Sequence, residues 1–358
     1  MQLGTVASRP GAVVTGRVPV TDLPTGGTEA LPVIVAEGTA PGPTLWVTGT
    51  IHGDEVTGLA VAQDLLTPEV ASSLAGTVVC VPTLNPAGLR RGARSSYYDD
   101  DDPNRYFPDP TDEAAGPRPP RVQERIDERI YEAITASADA LIDVHTAQVG
   151  SVPFLIRDRV LYGEVREEAD AEGLAAELAD LAAAFGLPVV NEYEAGEYTD
   201  EGLHRSTAGA VLNAAGIPAV TVELGSHSVV DDRMYDLGVA GCYRVMADMG
   251  MLPAGHGFGP DVDPVDPPVE YPVKRAVHPH SEGAGIARHR VAAGDVVSSG
   301  DPIADIVAPT GEHRATVTTD YDGYVLGRYG GVATYENDPL CSMAVRDESP
   351  LVVPRDGD

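Results

Sequence analysis

Apolar positions along the first 250 residues fall into two kinds of run that take turns. TLWVTG at 44–49, TVVCV at 77–81, ALIDV at 140–144 and AVTVEL at 219–224 are apolar almost throughout, the mark of strands buried on both faces. GLAVAQDLL, after the first, and VQERIDERIYEAITA, before the third, carry apolar residues at helical spacing, with Val122, Ile126, Ile130 and Ile134 four apart. Further helices are predicted near 164–185, where Gly186-Leu187-Pro188 supplies the stop, near 205–215 and over 231–250. The first forty residues add two short, partly alternating strands, VVTGRVPV and LPVIVAEG. Strands and helices in this order predict an α/β fold, a mainly parallel mixed sheet with helices on both faces.

Two stretches break the alternation. Residues 86–120 mix Gly, Pro, Arg and Asp without a period, which predicts a long loop of the kind that carries function. Residues 253–272 are rich in Pro and Gly and read as a connection. Beyond them, 273–350 show only short strand signals between GD, SSGD, YDG and GG turns, predicting a small C-terminal all-β domain with a barrel-sandwich character. The expected organisation is a first domain over 1–252, a linker over 253–272 and a β domain over 273–350.

Charge narrows the partners. With 24 Lys+Arg against 55 Asp+Glu the formal net charge is −31, so a nucleic-acid or anionic-membrane partner is not expected. Lys274 is the only lysine. So acidic a surface repels itself in dilute buffer and is screened by salt. The composition resembles that of a salt-in halophile, an ordinary acidic protein being the alternative. No stretch approaches the ~18 apolar residues of a membrane span. The N-terminus lacks a basic start followed by an apolar run, and Cys80, Cys242 and Cys341 lie far apart. These features lead us to expect a soluble cytoplasmic protein.

The chemistry gathers at strand ends. His52-Gly53-Asp54-Glu55 follows the strand TLWVTG, so a His and a carboxylate three residues apart leave one sheet edge together. In open α/β sheets ligands collect at the carboxyl ends of strands. His145 ends ALIDVH in the same way. Two imidazoles and one carboxylate fit a hydrolytic zinc site with one position left for water, whose pKa zinc lowers to ~7. The plainer reading is a chance HxxE and a hydrogen-bonded strand-end His. Asp143 and Thr146 flank His145 and either orient its ring or serve as ordinary strand-end polar groups. Glu223 emerges from an otherwise apolar strand, either as a general base or as an acceptor for loop amides.

Taken in order, HGDE (52–55), Asn85-Pro86, Gly92-Ala93-Arg94, DPNRYF (102–107), DVHTA (143–147) and VELG (222–225) resemble the succinylglutamate desuccinylase/aspartoacylase family of the zinc carboxypeptidase superfamily. The entry stretch APGPTLWVTGTIHGDEVTG is similar too, and the resemblance spans about 30–345. It implies a zinc-carboxypeptidase-like fold, one zinc ion per chain held by His52, Glu55 and His145, Glu223 as general base, and Arg94 as the oxyanion arginine. Asn104 and Arg105 match the pair that holds a substrate carboxylate. The segment between Arg94 and Asn104 is longer than the family's, so Arg90 or Arg91 stays open as the match. Countercharge for Asp99–Asp102 is the other reading of Arg94 and Arg105, and the acidic run itself is expected to be a solvated loop face.

The resemblance implies a zinc-dependent amidohydrolase that takes a small N-acyl amino acid or N-acylated amine as its partner, with a homo-oligomer as the expected assembly. A metallocarboxypeptidase acting on short peptides and a non-catalytic binding protein are the alternatives. A biotinyl or lipoyl carrier role for 273–350 is excluded, since Lys274 precedes the module's hairpins. Tyr321, Tyr324, Tyr329 and Tyr335 are expected to pack within the β domain, and His278, His280 and His289 to lie at its surface. His204 and Arg205 are assigned no role.

Overall fold

The computed structural model describes residues 1–111 and 118–355. Among these, a twelve-stranded mixed sheet runs through the molecule. Its centre is parallel, with Ala40–Gly49 between Ala75–Val81 and Ala140–Ala147, and Ala219–Ser226 beyond the last. These are the four apolar runs of the sequence, and Leu45, Trp46, Val79, Leu141, Val144 and Val222 are fully enclosed. Helices cover both faces. Thr57–Asp64, Glu168–Phe185 and Asp232–Asp248 pack together on one side, and Val122–Thr135 and Thr207–Asn213 on the other.

Antiparallel strands flank this centre. Thr28–Glu37 pairs Ala75–Val81 and Ala12–Asp22 lies outside it. On the other flank Phe154–Arg157 runs antiparallel to Ala219–Ser226 and leads to Val189–Asn191 and then Val273–Val277. The sheet thus continues directly into the C-terminal region, where Cys341–Arg346, Gly323–Arg328 and Val296–Val297 complete it. Phe154, Ile156, Val190, Val273, Tyr324, Leu326 and Ala344 form one apolar cluster across that junction. Four further strands, Gly285–His289, Pro302–Val307, His313–Thr318 and Ala333–Thr334, make a separate small sheet. The stretch 253–272 carries neither helix nor strand. No described helix is long and apolar enough to cross a membrane.

The long unpatterned segment is more ordered than its sequence suggests. Pro86–Arg91 forms a short helix, capped by Asn85, whose Oδ1 accepts from Gly88 N at 2.7 Å, and closed by Gly92 in the left-handed region. An Asn cap, Pro in the first turn and Gly after the last turn are sufficient signals, though the helix is too short to show a period. Pro103–Arg105 adds a 3-10 turn, while 112–117 lie outside the described residues.

Candidate active site

Three strand ends meet above the parallel centre. The backbone of the HGDE turn is unusual: Thr50 has φ of 54°, a region β-branched residues avoid, and its hydroxyl donates to the Glu55 carbonyl at 3.0 Å. Gly53 N donates to the Arg94 carbonyl, and a Cβ at Gly53 would lie 2.0 Å from the carbonyl carbon of Gly88. Only glycine lets this turn press against the short helix. The result points His52 and Glu55 to the same side.

Register brings in the others. Glu223 sits directly across from His145, and Thr48 across from Asp143. His52 Nδ1 lies 2.8 Å from Glu55 Oε1, and His145 Nδ1 lies 3.0 Å from Glu55 Oε2. One ligand atom from each of the three residues falls within 4.8 Å of the others, and all three residues are buried.

The outward nitrogens decide what this cluster is for. His52 Nε2 is 3.1 Å from Asp102 Oδ1, and His145 Nε2 is 2.8 Å from Asp143 Oδ2. Asp143 in turn accepts from the Thr48 hydroxyl at 2.6 Å. A carboxylate stands behind each ring at Nε2, so when that nitrogen alone carries the proton each Nδ1 turns a lone pair toward Glu55. His52 Nδ1 is buried and has no hydrogen-bond partner. Two ring lone pairs and a carboxylate converging away from water repel one another unless a cation lies between them. This donor set, two His and one Glu with carboxylates behind the rings, fits zinc. Burial would push Glu55 up, but without a metal ion the two rings take up protons and their positive charge holds its carboxyl well below the usual range.

Glu223 behaves differently. Burial pushes it up to about 7, against the pull of His145 and with Glu55 adding to the rise. Its Oε2 is buried without a partner. A carboxylate that holds or releases a proton near neutrality, next to a group that could hold a metal ion, has the properties of a general base.

Arg94 reaches Glu55 Oε1 at 3.3 Å and Asp102 Oδ2 at 2.8 Å, with about half its side chain exposed to the cavity mouth. Arg90 instead grips the buried Glu29 at 2.9 Å, and neither it nor Arg91 lines the cavity. The acidic run is not a uniformly solvated face, as expected above. Asp102 caps the Pro103–Arg105 turn, its Oδ1 accepting from Asn104 N at 2.9 Å, and this swings the carboxylate inward to His52 and Arg94. Asp101 turns to Arg121 and Tyr106, and Asp100 stays exposed.

Asn104 is buried. Its Oδ1 accepts from Thr207 N at 2.8 Å and Thr207 Oγ1 at 2.9 Å, which leaves its Nδ2 for the cavity. Arg105 donates to the carbonyls of Glu201 and Asn104 and ion-pairs with no carboxylate among the described residues. All seven residues singled out from sequence, His52, Glu55, Arg94, Asn104, Arg105, His145 and Glu223, line one cavity of about 460 Å³.

Sequence reasoning missed the far wall of this cavity. Asp158, Glu192, Arg275 and His227 line it as well. Asp158 and Glu192 follow short apolar strands, the signal that singled out Glu223, but their strands are only four and three residues long. Arg275 stands in the region read as a separate module. Of the four tyrosines there, Tyr329 reaches the cavity, Tyr324 is core, and Tyr321 and Tyr335 are exposed. His278 and His289 lie outside the cavity, as does His280.

The model of the succinylglutamate desuccinylase/aspartoacylase catalytic domain matches residues 41–249. A curated relative, N-alpha-acetyl-L-2,4-diaminobutyric acid deacetylase of Halomonas elongata, is 26% identical over 336 residues, covering 90% of this chain and 88% of its own. The crystal structure of a succinylglutamate desuccinylase from Silicibacter sp. TM1040 superimposes with a TM-score of 0.71 at 24% identity, covering 93% of this chain and 94% of the other. The product-bound ectoine utilization protein EutE of Ruegeria pomeroyi also gives 0.71, at 21% identity and 95% and 98% coverage.

Proposed function

The chain belongs to the succinylglutamate desuccinylase/aspartoacylase family, and from that premise we propose that it is a zinc-dependent hydrolase of the acyl amide in a small N-acyl amino acid or N-acylated amine. The observation that carries the reading is Glu223, half-buried with its Oε2 enclosed and without a hydrogen-bond partner, directly across the strand pair from His145 of the His52–Glu55–His145 group. The activity named for the Halomonas elongata relative, removal of an acetyl group from an amino acid, supports it.

Zinc held by His52, Glu55 and His145 would supply Lewis acidity toward the acyl carbonyl and toward water. Glu223 takes a proton from the attacking water and returns it to the departing nitrogen. Arg94 places its guanidinium at the cavity mouth, where it stabilises negative charge on the acyl oxygen as the carbonyl is attacked. Arg105, which ion-pairs with no carboxylate among the described residues, binds a substrate carboxylate with Asn104 Nδ2 beside it. We also propose that 1–252 and 273–350 act as the catalytic and flanking domains joined by 253–272, the second lending Arg275 and Tyr329 to the cavity.

The test is a panel of N-acetyl and N-succinyl amino acids and short peptides offered to the zinc-loaded protein, with Glu223→Gln alongside. Turnover of an acyl amide, lowered about 10²–10⁴-fold by the substitution at unchanged zinc content, is the expected result. Cleavage confined to peptide C-termini, or full activity in the variant, would overturn the proposal.

A further inference from the structure

Three buried polar side chains stand apart from the cavity, beneath the acidic run. Gln123 and Asp127 lie one turn apart on the helix Val122–Thr135, and both are fully enclosed. Gln123 Nε2 donates to the Leu84 carbonyl at 3.2 Å and to Asp127 Oδ1 at 2.8 Å. Both neighbours are acceptors, so the amide orientation is settled and Gln123 Oε1 turns the other way. That oxygen and Asp127 Oδ2 are buried without a hydrogen-bond partner. An unmatched amide carbonyl and an unmatched acid in a helix interior call for an explanation.

The third side chain is Asp99. Of the other aspartates in the run, Asp100 is exposed, Asp101 pairs with Arg121 and Asp102 with Arg94. Both carboxylate oxygens of Asp99 are instead buried and have no hydrogen-bond partner. Arg121 immediately precedes the helix, so its pair with Asp101 holds this loop against the first turn, where Gln123 sits. Electrostatics reports the same closeness. Burial pushes the Asp127 carboxyl well above the usual range and the bond from Gln123 opposes it, while among neighbouring charges Asp99 raises it most, ahead of Glu124 and Asp102. Burial pushes Asp99 up as well, opposed by Arg121, whose guanidinium is engaged with Asp101. Glu124 is taken up by Arg118 and by the Arg121 amide.

Two carboxylates and one amide thus present four oxygens without donors. A proton shared between the acids would satisfy at most two of them, whereas a hard cation can take all four as ligands. We infer that Asp99, Asp127 and Gln123 form a binding site for a calcium ion, distinct from the His52–Glu55–His145 group, that pins the loop of residues 95–102 to the helix Val122–Thr135. Two negative charges match a divalent ion, and an all-oxygen set suits calcium, with waters completing its six to eight ligands. The pinned loop ends at Asp102, which stands behind His52.

The experiment titrates calcium chloride into the zinc-loaded full chain by calorimetry in molar potassium chloride, where diffuse surface charge is screened. We expect one calcium site per chain, and a thermal midpoint that rises with calcium. Asp99→Asn and Asp127→Asn should each weaken calcium binding about tenfold or more at unchanged zinc content, since ligand charge sets affinity in such sites. Asp100→Asn removes an equal charge from the exposed neighbour and should bind calcium as the parent does. No calcium site in the parent, or parental affinity in Asp99→Asn, would overturn the inference. An equal loss in Asp100→Asn would assign the binding to general surface charge and overturn it too. Should Asp127→Asn fail to fold, Asp99→Asn in the half-buried loop decides alone. Turnover enters none of these readouts, so the outcome is independent of the deacylase reading.

Discussion

At the scale of single residues, the site is organised by the groups behind the ligands. Asp143 and Asp102 stand at Nε2 of the two imidazoles, where each favours a proton on that nitrogen and so leaves Nδ1 for a cation. Loss of such a partner typically costs 10–100-fold in metal affinity. Asp143→Asn should therefore weaken zinc binding by about tenfold or more in competition with a chelating dye, with little change in the folded spectrum. Unchanged affinity would mean that Asp143 merely satisfies Thr48. Asp143 was legible as a flanking acid of His145, because an acid two residues back on a strand shares its face. Asp102 was not, because nothing in a run of four aspartates says which one turns inward. The Pro103–Arg105 turn decides that, through a bond from a backbone amide.

At the scale of elements, what matters is how close the HGDE turn lies to the helix Pro86–Arg91. A Cβ on Gly53 would sit 2.0 Å from the Gly88 carbonyl carbon, so Gly53→Ala must displace backbone rather than a side chain. We expect a loss of about 1–3 kcal/mol in stability, together with weaker zinc binding because His52 and Glu55 ride on this turn. A thermal midpoint and metal affinity equal to those of the parent would contradict the close approach. The long strands and helices were legible from their periods. Short elements were not: the helix at 86–91 and the strands at 154–157 and 189–191 are too brief to show a period, and the last two support the far wall of the cavity. Hence His52, Glu55, Arg94, Asn104, Arg105, His145 and Glu223 could be named from the sequence and its family resemblance, while Asp158, Glu192 and Arg275 required the strand order.

At the scale of the whole molecule, charge dominates. A net charge of −31 favours expansion through self-repulsion, and salt screens it over a Debye length of about 10 Å at 0.1 M and 3 Å at 1 M. We expect helical circular dichroism to fall when the protein is dialysed from molar salt into dilute buffer, and to return when salt is restored. A signal indifferent to salt would indicate an ordinary acidic protein. The sheet carries a different consequence. Its last strands come from the final quarter of the chain, yet Arg275 and Tyr329 line the same cavity as the triad. Part of the cavity lining is therefore encoded far downstream of the triad, so changes late in the gene can reshape the pocket while His52, Glu55 and His145 stay as they are.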